Sequence, residues 1–136
     1  MSDSPKEVVR GFYESVYKSI EALNSFLHPD CELFWNSSKG FSKLDADGIA
    51  KLARESSKSF ASMRTDFSHL LQDGNFVTAR YTYYVKTIEN PEEEIPLAHF
   101  ITIWEVKDGK LFKGHEISQQ GDETPLNLKS YLSIKV

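Results

Sequence analysis

His99 and Glu116 flank the dipeptide Asp108-Gly109, and Asp-Gly is a favoured two-residue turn for a β-hairpin. Counted outward from such a turn, Lys107 faces Lys110, Ile101 faces Glu116 and His99 faces Ser118. That register puts His99 and Glu116 on one face as diagonal neighbours, about 7–8 Å apart along the backbone and within reach of a side-chain hydrogen bond. A carboxylate so placed orients an imidazole and stabilises its charged form. Leu97, Ile101, Ile103 and Phe112 would exclude water around the pair, and the pattern predicts general acid/base chemistry near neutral pH. The plainer reading makes His99 a core or interface histidine and leaves Glu116 solvated. A three-residue turn with a bulge would put the two on opposite faces.

A second constellation lies in an earlier hairpin. A tight turn at Asp73-Gly74 places Arg64 and Asp66 on one face with Tyr81 and Tyr83 across from them, and a surface ion pair accounts for the charged residues. The histidines His28, His69, His99 and His115 show no metal-binding spacing, and neither a Gly-x-Gly-x-x-Gly nor a Walker sequence occurs. No metal and no cofactor are expected. The one cysteine, Cys31, opens a strand with no base beside it and reads as buried rather than nucleophilic. Gly114 reads as a bend in the last hairpin or a close approach of ligand to backbone.

These residues must be held by elements that the patterning supplies. Ser4, Pro5 and Glu7 form a helix start with the features of a capping box. Val8, Val9, Phe12, Val16 and Ile20 follow at helical spacing, with Tyr13 and Tyr17 at the edge of the stripe. A second short helix runs from Ser19 to Leu27, before His28-Pro29. The aromatic run Cys31 to Trp35 reads as a strand. Asp45 or Asp47 caps a third helix with Ile49, Leu52, Ala53 and Phe60 on its apolar side. From Ser62 the pattern turns to period two, two hairpins joined by the acidic, proline-containing stretch Glu89 to Glu94. The segment 121–136 reads as a last short strand or a tail. The expectation is an α+β domain spanning residues 1–136, three N-terminal helices covering one face of a curved antiparallel sheet.

Composition narrows the partners. The chain has 136 residues, 40% of them hydrophobic, with 16 basic against 20 acidic side chains and a net charge of −4. The basic residues are scattered, so nucleic acid is not an expected partner. No apolar run reaches the ~20 residues of a membrane span, and the start MSDSPKEVV lacks a secretory signal, so a cytoplasmic location is expected. Strands of the last hairpin carry apolar residues on both faces, and helices cover only one. A homodimer through the sheet is the expected cover for the other.

The helix Val8-Val9-Arg10-Gly11-Phe12-Tyr13, the segment Leu27-His28-Pro29-Asp30-Cys31-Glu32-Leu33-Phe34-Trp35 and the segment Trp104-Glu105-Val106-Lys107-Asp108-Gly109-Lys110-Leu111, in this order, resemble the nuclear transport factor 2-like superfamily in its SnoaL-like, polyketide-cyclase-like branch. The resemblance implies a cone of bent antiparallel sheet crossed by a long helix, one apolar pocket per subunit, and a dimer. It also implies a spread of functions, from isomerases, dehydratases, epoxide hydrolases and cyclases to proteins that only bind. Arg64-x-Asp66 resembles the epoxide hydrolases' pair in type but not in position, since the matching strand carries Tyr81-Thr82-Tyr83. Tyr13 resembles the oxyanion-donating tyrosine of ketosteroid isomerases, but Trp35 stands where their catalytic aspartate should fall. An indole takes no proton, so Trp35 reads as a pocket wall with its N–H as a polar handle.

The sequence thus predicts a pocket for a small apolar or carbonyl-bearing molecule. His99 and Glu116 would move protons in it, and Tyr13, Trp35, Tyr83, Ile101 and Phe112 would contact the ligand. The alternative is a non-catalytic ligand-binding or dimerisation module whose cone is filled by Phe12, Trp35, Phe60 and Tyr83.

Overall fold

In the computed structural model, which describes residues 4–15 and 20–120, Ser4 opens the first helix. Its hydroxyl accepts from the Glu7 amide at 3.3 Å and its carbonyl from the Val8 amide at 3.0 Å, closing the first turn. Helix α1 spans Pro5–Ser15 and buries Val8, Val9, Phe12 and Tyr13, the stripe the spacing predicts; Val16 and Tyr17 lie outside the described residues. Helix α2 is Ile20–Ser25. Strand β1, Leu27–Ser37, is longer than its aromatic centre, and Gly40 at φ 114° turns it into a strand the patterning does not reveal, β2, Gly40–Asp45. Asp45 then caps α3, Ala46–Ser59, its carboxylate accepting from the Gly48 amide at 2.7 Å. Phe60 does not end that helix. Its extended backbone begins β3, Phe60–Asp73, followed by β4, Phe76–Thr87, β5, Glu94–Lys107, and β6, Lys110–Gln120. The stretch 121–136 lies outside the described residues.

Three helices and one curved, unclosed six-stranded sheet make the α+β fold that the sequence predicts. The sheet order is β2-β1-β6-β5-β4-β3, and it is mixed rather than wholly antiparallel, because β1 runs parallel to β6, pairing Trp35 with Glu116. Parallel neighbours need a long connection between them, and the chain from β2 through α3 to β5 provides it. The helices lie over the concave face. There Val9, Phe12 and Tyr13 meet Val77, Ala79 and Tyr81 of β4, Phe100 and Trp104 of β5, and Leu111 of β6. Among the described residues no helix is long and apolar enough to cross a membrane.

Both hairpins depart from the simple count. Asp108 and Gly109 occupy the last turn with φ of 54° and 71°, as a two-residue type I′ turn requires, and Lys107 faces Lys110 as expected. The register then slips by one. Val106 faces Leu111 and Glu105 faces Lys113, so Phe112 is an unpaired bulge residue. The expected pairing of Ile101 with Glu116 is corrected to Thr102 with Glu116, and that of His99 with Ser118 to His99 with Gln119. In the earlier hairpin the turn sits one residue later, between Asp73 and Phe76, and a second slip falls between Phe67 and His69. Arg64 therefore faces Tyr84, and Tyr81 and Tyr83 face Phe67 and Thr65.

Candidate active site

The Phe112 bulge decides which way Glu116 points. With Leu111 buried on the concave face, strict alternation would send residue 116 outward; the extra residue turns Gly114, Glu116 and Ser118 inward instead. Glu116 thereby enters a cavity of about 180 Å³ between α1, α3 and the sheet. The walls come from Phe12 and Tyr13 of α1, Leu33 and Trp35 of β1, Ile49, Leu52, Ala53 and Ser56 of α3, Met63 of β3, Tyr83 of β4, and Leu97, Phe100 and Trp104 of β5. Glu116 is the one ionic side chain among them.

Its two oxygens are treated differently. Oε1 accepts from the Thr102 hydroxyl at 2.7 Å and lies 3.0 Å from the donating Tyr81 hydroxyl. Oε2 has no hydrogen bond among the described residues, and it is not one of the sealed atoms, all of which have partners; it is open to the cavity. Burial opposes the charged form more strongly than the two hydroxyl donors support it, and the carboxyl is raised to about 7. A group that gains and loses its proton near neutral pH therefore stands in an otherwise apolar chamber.

Two further polar groups, the Tyr13 hydroxyl and the Trp104 indole N–H, join this cluster. The Tyr13 hydroxyl accepts from the Trp104 indole N–H at 2.9 Å and lies 2.8 Å from the Tyr81 hydroxyl, whose oxygen is 3.0 Å from Thr102 Oγ1. Burial and, second, the neighbouring Glu116 carboxyl push both phenols well above their ordinary range, so they remain protonated donors. An oxygen that accepts from an N–H still has its own proton to give, and Tyr13 lines the cavity.

The expected site residues are partly brought together. Tyr13, Trp35, Tyr83 and Glu116 share the cavity, but the Trp35 N–H is occupied by Ser118 Oγ at 2.8 Å and is not a free handle. His99 lies on the opposite face from Glu116, so the expected pair does not form. Its Nδ1 sits 2.9 Å from the Thr82 hydroxyl, and burial, then the Arg80 charge, lower its pKa. Ile101 is on the convex face, 40% exposed. Phe112, displaced by the bulge, packs edge-on against His28 with Lys107 and Lys113 over its ring. Arg64 makes a bidentate pair with Glu94 at 2.8–3.1 Å, away from the cavity.

Tyr81 and Thr102 are the polar residues that counting from the turns does not bring to Glu116. Their signal was present, since alternation sets Thr102 in line with Phe100 and Trp104, but it needs the bulge to meet Glu116. Gly114 serves packing: a Cβ there would lie 2.7 Å from the Trp104 ring and 2.8 Å from Leu33. Cys31 is buried, and desolvation pushes its thiol up to about 12. Among the described residues no cluster of three metal-ligating side chains occurs.

The family model of the SnoaL-like domain matches residues 9–113. The chain belongs to the SnoaL-like domain family. No curated protein matches the sequence. Solved structures give the same fold at low identity. IdmH, a candidate polyketide cyclase from Streptomyces antibioticus, is 17% identical over 97% of this chain and 100% of its own, with a TM-score of 0.71. TerC, crystallised with polyporic acid, is 24% identical over 84% and 91%, with a TM-score of 0.63. An NTF2-like protein of unknown function from Burkholderia pseudomallei is 18% identical over 84% and 90%, with a TM-score of 0.62. The family match to this SnoaL-like chain ends ahead of Glu116, so the carboxyl's role rests on geometry.

Proposed function

We propose that this SnoaL-like protein binds a small, largely apolar, carbonyl-bearing molecule and catalyses cofactor-free proton transfer on it, chemistry of the isomerase, cyclase or dehydratase type. The observation that carries the reading is Glu116, one oxygen fixed by Thr102 and Tyr81 and the other open to an apolar cavity. Oε2 is the base that removes a proton beside the carbonyl and returns it elsewhere on the same molecule. Tyr13, polarised by the Trp104 N–H, donates to the carbonyl oxygen as negative charge develops there. Trp35, Tyr83 and Phe100 hold the apolar body and exclude water. His99 takes no part. Candidate polyketide cyclases among the structural neighbours are in keeping with such a substrate, while their identity to this chain supports the fold alone.

The test is a thermal-shift screen of wild type, Glu116→Gln and His99→Gln against apolar ketones, lactones and epoxides, since a ligand of the folded state raises the melting temperature. The expected result is a class of carbonyl compounds whose shift is weakened in Glu116→Gln and kept in His99→Gln, followed by turnover of that class by wild type alone. Equal shifts in all three proteins would remove Glu116 from the site. Silence across the panel would favour a non-catalytic module with the same fold.

A further inference from the structure

The Tyr81 hydroxyl has one proton and three oxygens within bonding distance: Tyr13 at 2.8 Å, Thr102 at 3.0 Å and Glu116 Oε1 at 3.0 Å. It cannot serve them all at once. Thr102 has a shorter contact to Oε1, 2.7 Å, and keeps it whatever the charge on the carboxyl. An ionised carboxylate is the strongest acceptor in the cluster and draws the Tyr81 proton as well. A neutral carboxyl draws it less, and the geometry of the 2.8 Å contact then favours donation to Tyr13.

We propose that Tyr81 is a one-proton switch between Glu116 and Tyr13, pointing at Oε1 when Glu116 is ionised and at the Tyr13 oxygen when Glu116 is neutral. The proposal deepens the acid/base reading and rests on Glu116 being the cavity's titrating group. Tyr13 already accepts from Trp104, a donor with no alternative role. Receiving a second bond from Tyr81 commits its own proton to an acceptor in the cavity. The neutral state thus offers two donors, Tyr13 O–H and Glu116 Oε2–H, and suits an oxygen that carries developing negative charge. The ionised state offers an acceptor and suits removal of a proton. The two halves of an enolisation are thereby set by one group's charge, with Tyr81 as a positioning residue that touches no ligand itself.

The groups facing the carboxyl favour such a switch. Tyr13 comes from α1, Trp35 from β1, Tyr81 and Tyr83 from β4, and Thr102 and Trp104 from β5; no Lys, Arg, His or second carboxylate among the described residues lines the cavity. Charge change there is answered by hydroxyl rotation rather than by a counter-ion.

The experiment is a ligand-free NMR titration of full-length protein carrying 13C at the Glu side-chain carboxyl and the Tyr ring carbon bearing oxygen, with Glu116→Gln and Tyr13→Phe assigning the two signals. In wild type both signals are expected to move together, with one midpoint near pH 7. Tyr81→Phe removes one donor from the ionised form, so the Glu116 midpoint rises by about one pH unit, and the Tyr13 response collapses. Thr102→Val removes the other donor and also raises the midpoint, but Tyr13 still follows Glu116. A Tyr13 signal that stays flat in wild type overturns the switch. So does a Tyr13 response of undiminished size in Tyr81→Phe, which would be the direct field of the carboxylate. Because no ligand is present, these outcomes are separate from failure of the ligand screen, while a Glu116 that titrates in the ordinary carboxylate range would overturn both proposals.

Discussion

A carboxyl that holds its proton to about pH 7 in the folded chain and releases it at the ordinary 4.5 in the unfolded chain makes stability depend on pH. Below about 4.5 the group is neutral in both states and costs nothing. As pH rises toward 7 the unfolded chain gives up its proton and the folded chain keeps it, so the folded state loses up to about 3 kcal/mol of relative stability. Glu116→Gln has no proton to release. Its stability relative to wild type should therefore increase between pH 5 and pH 8, with the contribution of His99 common to both proteins. Urea unfolding at the two pH values checks this; a difference that stays constant would mean that burial does not hold the carboxyl neutral. The same residue shows how far sequence carries. Glu116 is visible as a candidate because the register counted from the Asp108-Gly109 turn sets it beside a histidine and apolar residues, and Tyr13, Trp35 and Tyr83 are visible as aromatic groups suited to line a pocket. That Thr102 and Tyr81, rather than His99, meet Glu116 is a matter of backbone register, which side-chain type does not encode.

Register belongs to the elements, and in β6 it is set by one residue. The helices, the Asp108-Gly109 turn and the Asp45 cap follow from local rules, since caps and turn dipeptides act over two to four residues, whereas the earlier turn falls one residue past its Asp73-Gly74 dipeptide. A bulge has no such local signature at Phe112, and it inverts the facing of everything beyond it, which is why the His99–Glu116 pair read from the turn fails. The position that accompanies the bulge is Gly114. Without a Cβ it lets the Trp104 ring and Leu33 close over the strand, and the Trp104 N–H is thereby brought to Tyr13 at 2.9 Å. Gly114→Ala forces the indole and Leu33 apart and is expected to cost about 1–3 kcal/mol, the usual penalty of overpacking, measured by chemical denaturation. It should also weaken ligand shifts in the thermal screen, because Tyr13 loses its fixed donor. Wild-type stability in Gly114→Ala would mean that the strand yields without strain and that the glycine does not hold Trp104 in place.

At the scale of the whole molecule, the helices cover the concave face and leave the other side of the sheet bare among the described residues. Ile101 and Ile117 face each other across β5 and β6; with Ile103 they are 40%, 60% and 44% exposed. The expectation of apolar residues on both faces thus has its physical counterpart, although the bulge moves Ile117 to the outer face and keeps Phe100 and Trp104 inside. We propose that a second copy of the chain covers this stripe, because a two-fold axis through β5 and β6 sets isoleucine against isoleucine and hides the patch without a second kind of surface. Light scattering at micromolar concentration should then give twice the 15.5 kDa chain mass. Ile117→Lys, which places a charge in the stripe and on the opposite face from Glu116, should give a folded chain of single mass. Ligand shifts in that variant would persist if each cavity is complete within one chain, as its walls of α1, α3 and the sheet imply. A wild-type chain of 15.5 kDa would leave the isoleucine stripe without a second copy and sink the dimer, while the cavity chemistry, built wholly from one chain, would stand unaffected.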